Sequence, residues 1–113
     1  MDDATRERVE REVRAAFEDY ERALVTNDVD ALIAAFADDA RTLRMTTDGG
    51  LFGMAQIAAF RRGRDASDVA RALTRVEIVA LEETVAVAAA TYTREGSGRK
   101  GAQTQVWHLR PEG

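Results

Sequence analysis

At 113 residues the chain has room for one domain around one core, and the absence of cysteine excludes disulfides and thiol chemistry. Net charge is −4 with no basic tail, which argues against a nucleic-acid partner. No apolar run approaches membrane-spanning length and the start, MDDATRERVER, carries no apolar leader, so the expectation is a cytoplasmic protein with no membrane role.

Residues 4–26 read as a helix. Val9, Val13, Phe17, Tyr20 and Leu24 recur at spacings of three and four and make one apolar stripe. The opposite face carries Glu7-Arg11, Glu10-Arg14 and Glu18-Arg22 at i,i+4, the pattern of a solvated helix face. Tyr20 lies on the apolar side, so its hydroxyl needs a partner or a cavity. Asn27-Asp28 breaks this helix. A short second helix is predicted from Asp28 or Asp30 to Ala37, with either aspartate as N-cap, and the tight connection makes a helical hairpin. A short strand is expected over 40–45, a turn at Thr47-Asp48-Gly49-Gly50, and returning strand residues at Leu51-Phe52. A third helix runs from Met54 to Arg62, with Gly63 as a C-cap, and residues 63–71 form a polar loop.

The rest is the organising element. Three strands are predicted at 70–81, 84–94 and 102–110, separated by turns at Glu82-Glu83 and Glu95-Gly96-Ser97-Gly98. In the last, Gln103, Gln105, Trp107 and Leu109 face one way and Thr104, Val106 and His108 the other. Together they read as an antiparallel meander with one face to be covered by the preceding helices, an α+β single domain over 1–113.

Several chemistries have no motif here. There is no glycine-rich phosphate loop, no nucleophile elbow, and one histidine, His108, without a second histidine or a cysteine to build a zinc site. His108 reads as an edge or core residue. No metal and no organic cofactor is expected, so any catalysis falls to arginines, carboxylates, a tyrosine and amides in a pocket. Lys100 is the one lysine; the abundance of arginine reads as codon bias, or as anion binding where an arginine points into a pocket.

Taken together, AFEDYERALVTNDVDALIAAFADDARTLRM, LFGMAQIAAFRRGR, ALTRVEI and GAQTQVW resemble the AtzH-like family, which includes a protein of oxalurate catabolism, within the nuclear-transport-factor-2-like or SnoaL-like superfamily. The resemblance rests on Tyr20, Ala23-Leu24, Asp28, Leu32, Phe36, Thr42, Arg44, Gly53 and Ile57, the Phe60-Arg61 plus Arg64 pattern, and Gln103-x-Gln105-x-Trp107. It implies a cone-shaped curved sheet wrapped around the long first helix, with a pocket at the open end. Four positions depart from the family: Ala40 in place of proline, Gly49-Gly50 in place of a glutamate-asparagine pair, and Ala102 in place of arginine. In the family a phrase like Pro111-Glu112-Gly113 leads into one more strand, so either the sequence is trimmed or the cone lacks a wall.

The resemblance implies a protein of ureide or amide-nitrogen catabolism that binds, and hydrolyses or decarboxylates, a small carboxylated urea-type compound. Two other readings stand beside it. One is a non-catalytic ligand-binding or amidase-partner module. The other is a steroid-isomerase-like proton-transfer enzyme, for which Glu77 or Asp48 would have to supply a buried base. A homodimer through the outer sheet face is expected from the resemblance, with Trp107 or the residues of opposite parity in the contact.

For the site itself, Arg44 alternates with Leu43 and Met45, and Arg61 and Arg64 end the helix just downstream of that hairpin. All three can converge on a carboxylate, with Tyr20, Gln103 and Gln105 adding neutral hydrogen bonds. In that arrangement Arg61, Arg64, Gln103 and Gln105 bind substrate, Arg44 stabilises developing negative charge, and Tyr20 transfers a proton. The alternative is structural: Arg61 and Arg64 as solvated cations complementing the helix dipole, and Arg44 paired with Asp48.

Overall fold

A computed structural model of the chain describes residues 1–46, 49–64 and 69–111. Its elements, in order, are α1 (Asp3–Thr26), α2 (Val29–Ala34), β1 (Leu43–Thr46), β2 (Gly49–Phe52), α3 (Met54–Gly63), β3 (Arg71–Glu82), β4 (Val85–Arg94) and β5 (Lys100–His108). β1 and β2 form an antiparallel hairpin, and β3, β4 and β5 a separate antiparallel meander in that spatial order.

The first helix starts because the Asp2 side chain accepts from the Thr5 N–H at 2.8 Å, and it ends at Asn27, whose left-handed backbone (φ 50°) lets its N–H return to Leu24 O. Its apolar stripe packs on the inner face of the meander: Phe17 with Ile78, Ala88 and Ala90, and Val9 with Ala80 and Ala86. Three successive inward positions of β4, Ala86, Ala88 and Ala90, are all but fully buried, and their small side chains let α1 lie close against the sheet. Farther along α1, Tyr20, Ala23 and Leu24 enclose Leu32 of α2.

The charged face of α1 pairs differently from the i,i+4 expectation. Arg22 bonds Asp19 rather than Glu18, and Arg6 bonds Asp3. The Glu10 carboxylate instead accepts from the Ala80 N–H at 2.9 Å, beside the irregularity in the β3–β4 register between Ala80 and Glu82.

Several boundaries also differ, among them β5, which runs from Lys100 to His108 rather than over 102–110. Asp28 is the N-cap of α2, but the helix stops at Ala34 rather than Ala37, because Phe36 N turns back to Ile33 O in a tighter turn. Strand β1 begins at Leu43 rather than residue 40. Asp39 O accepts from Thr42 N and Met54 N, and Thr42 O accepts from Gly53 N, so this backbone holds the start of α3 instead of joining a ladder. Gly53 N-caps α3 at φ 88°, with Ala40 O 3.1 Å from where a Cβ would stand, which leaves room for glycine alone. The C-cap of α3 is Arg64 in extended backbone, and Gly63 is the last helical residue. The Thr47-Asp48 part of the predicted turn, and residues 65–68 of the 63–71 loop, lie outside the described residues.

On β5 the alternation holds as far as the strand runs: Gln103, Gln105 and Trp107 are half-buried, while Thr104, Val106 and His108 are exposed; it fails at Leu109, which lies past the strand end and is exposed. No helix is long and apolar enough to cross a membrane among the described residues.

Candidate functional site

Two buried arginines sit on either side of the C-terminal half of α1, and their surroundings differ. Arg71, on β3, donates from Nε and Nη2 to the two oxygens of Glu21 at 2.9 and 2.5 Å, a side-on bidentate pair. Gln103 joins them: its Oε1 accepts from Arg71 Nη2 at 2.9 Å and its Nε2 donates to Glu21 at 3.4 Å. The Tyr92 ring lies over the Arg71 guanidinium, 4.1 Å from its centroid. That ring occupies the space above Gly101, where a Cβ would meet its far end within 2.6 Å.

Arg61, on α3, is only 1% exposed, which removes the reading of it as a solvated helix-end cation. Its Nη2 donates to the Tyr20 hydroxyl at 2.5 Å, so the tyrosine that needed a partner finds one 41 residues away. Its Nε and Nη1 are buried with no acceptor, and so is Nη1 of Arg44. Among the described residues no carboxylate forms an ion pair with Arg44, Arg61 or Arg64. The three guanidiniums gather on the ring of Phe60, at 4.7, 5.6 and 5.9 Å for Arg44, Arg61 and Arg64. Burial pushes Arg61 down to about 10, with Arg44 and Arg64 adding to the push and the Tyr20 oxygen opposing it. Burial, and then Arg94, Arg44 and Arg71, lower Arg64 as well.

Tyr20 and Arg44 also face a groove of about 800 Å³ between β1, the turn after α2, and β5. Phe36 and Trp107 meet the Tyr20 ring edge-on at 6.0 and 6.4 Å and form its apolar wall. Gln103 and Gln105 line it from β5. Arg61 and Arg64 do not line it; Arg61 connects to it through the hydroxyl of Tyr20.

A family model described as AtzH-like matches residues 2–113. The chain belongs to the AtzH-like family. It is similar to a solved protein of unknown function from the DUF3225 family of Pectobacterium atrosepticum SCRI1043, at 40% identity and a TM-score of 0.88, over 93% of this chain and 82% of that one. A cystatin-like fold protein from Burkholderia xenovorans LB400 is 30% identical, with a TM-score of 0.85 over 92% of this chain and 81% of that one. A nuclear-transport-factor-2-like superfamily protein from Salmonella enterica serovar Typhimurium LT2, at 22% identity and a TM-score of 0.66 over 93% and 82% of the two chains, shares the fold. No curated protein matches. The α+β cone around a long N-terminal helix is thus the architecture of this AtzH-like chain.

Within it, the six residues singled out from sequence fall into three settings. Tyr20 and Arg44 stand at the groove, Arg61 and Arg64 behind them on Phe60, and Gln103 and Gln105 on the opposite wall. Gln105 accepts from the Trp107 indole N–H at 2.8 Å, which leaves its NH₂ group as the donor. Gln103 has both ends of its amide engaged by Glu21 and Arg71. Sequence reasoning missed that Glu21-Arg71 pair. A signal existed: Glu21 is four residues from Phe17 and three from Leu24, inside the apolar stripe of α1, where a carboxylate requires a partner. Glu77, the base that a proton-transfer enzyme would need, is on the exposed face of β3 and pairs with Arg75 at 3.2 Å. Asp48 lies outside the described residues.

Proposed function

We propose that this AtzH-like protein binds a small carboxylated urea-type compound at the groove and breaks a C–N bond in it by hydrolysis or decarboxylation. The supporting observation is the buried Arg61, joined to Tyr20 and left with N–H groups that have no acceptor. Buried donors are almost always satisfied, and two more guanidiniums stand beside this one with no carboxylate paired to them among the described residues. An anionic group supplies the missing acceptors and the missing charge together. Its carboxylate enters past Arg44 and bonds the arginines, while the Gln105 NH₂ orients the neutral part.

Tyr20 has a defined part in this reading. Its oxygen accepts from Arg61, so its own O–H is directed elsewhere, toward whatever occupies the groove. Either reaction leaves a nitrogen that must take up a proton as its C–N bond breaks. In decarboxylation CO₂ departs; in hydrolysis water adds to the carbonyl carbon. Tyr20 donates that proton, and Arg44 and Arg61 stabilise the negative charge as it develops. The test is ammonia and carbon dioxide release from carboxylated ureas. Y20F should lose at least tenfold in turnover with binding retained; equal turnover in Y20F removes tyrosine from the chemistry.

The binding-module reading has its own support: among the described groove-lining residues there is no carboxylate to serve as a base. Binding without ammonia or carbon dioxide release would select it, with an amidase as the partner to look for. For the assembly, a homodimer places the outer face of the sheet in the contact, along the cross-strand row Val79, Val87 and Val106. V106K should then yield monomers in sedimentation.

A further inference from the structure

We propose that Phe60 is a positioning residue that holds the three guanidiniums together before any ligand arrives. The inference rests on the anion-site reading above and adds to it the means by which the empty site survives. Three like charges in partly buried surroundings repel one another, and two of them, Arg44 and Arg64, are long enough and exposed enough to swing into solvent. No carboxylate among the described residues restrains either. What the three share is one ring, with guanidinium carbons 4.7 to 5.9 Å from its centroid. A phenyl face carries partial negative charge, and within about 6 Å it attracts a cation more strongly as water is excluded.

The sequence builds this arrangement locally. Phe60 and Arg64 are four apart at the end of α3 and so share a side of it, and Arg61 is the next residue along. Arg44 arrives from β1, opposite Leu51 in the hairpin that runs into α3. An aliphatic side chain would fill the same half-buried volume and offer the cations nothing. Aromaticity at residue 60 therefore matters apart from bulk.

The test uses F60L, which keeps an apolar side chain, and F60Y, which keeps the ring; F60M replaces F60L should leucine pack badly. In the free protein, NMR order parameters of the arginine Nε–H groups should fall for Arg44 and Arg64 in F60L to values typical of flexible groups, below about 0.6. Arg71, held by Glu21, should not change and serves as the internal control. Malonate, titrated by calorimetry, should bind F60L about tenfold more weakly than the parent, and F60Y within about threefold of it. Unchanged Arg44 and Arg64 order in F60L overturns the inference, as does an F60Y variant as weak as F60L. If the parent protein takes no malonate, the anion-site reading fails, and the order parameters still decide the role of Phe60.

Discussion

Arg71 and Arg61 are both buried, both lean on a tyrosine, and both reach α1 from another element, yet among the described residues only Arg71 meets a carboxylate. Around Arg71 the charges close on themselves: Glu21 neutralises the guanidinium, Gln103 fills out the hydrogen bonds, and Tyr92 covers the face. Around Arg61 the account stays open, with unpartnered N–H groups and two further cations. The difference separates a structural arginine from one built to receive something. A buried, fully paired ion is a fastening between elements; a buried, unpaired one destabilises the empty protein and is explained by what it binds.

Stability measurements on variants break this comparison most sharply. E21A leaves Arg71 buried and unpaired at the junction of α1, β3 and β5, and should cost about 3–5 kcal/mol in urea unfolding. R61M removes a charge that has no counter-ion among the described residues, and should instead raise stability by about 1–3 kcal/mol. Equal losses in the two variants would erase the distinction. G101A is a milder probe of the closed cluster. The new methyl displaces the far end of Tyr92 from Arg71, and should cost about 1–2 kcal/mol with anion binding unaffected.

The smallest effect is in pH. Arg61 is a base whose value falls from the ordinary guanidinium range to about 10 on folding, because burial disfavours its charge. Above about 10 the native chain gives up a proton that the unfolded chain still holds, so this group's penalty is complete below that pH and is relieved as pH rises through it. The stability gap between R61M and the parent should therefore narrow from pH 8 to pH 10.5. A constant gap would mean that Arg61 keeps its proton throughout.

Much of the framework was legible because it is periodic. The stripe of α1 and the alternation of β5 each repeat within a few residues, and burial follows both. The ends of α2 and β1 were not, since they depend on where Asp39, Thr42 and Gly53 exchange backbone hydrogen bonds across a connection. The site was legible in part. The sequence places Tyr20 and Arg61 in one pocket, but a direct bond between residues 41 apart has no local signature. The Glu21-Arg71-Gln103 cluster, with separations of 50 and 82 residues, had only one mark in the sequence, the carboxylate standing in an apolar stripe.

The central claim is that the open arginine cluster binds an anion, and a calorimetric titration of malonate into the parent protein and R61M tests it most directly. The parent should take up one malonate per chain. R61M should bind it about 10- to 150-fold more weakly, the loss of about 1.5–3 kcal/mol expected for one hydrogen bond to a charged group, with its circular dichroism unchanged. Equal affinity in the two proteins would contradict the account and leave Arg61 a structural residue.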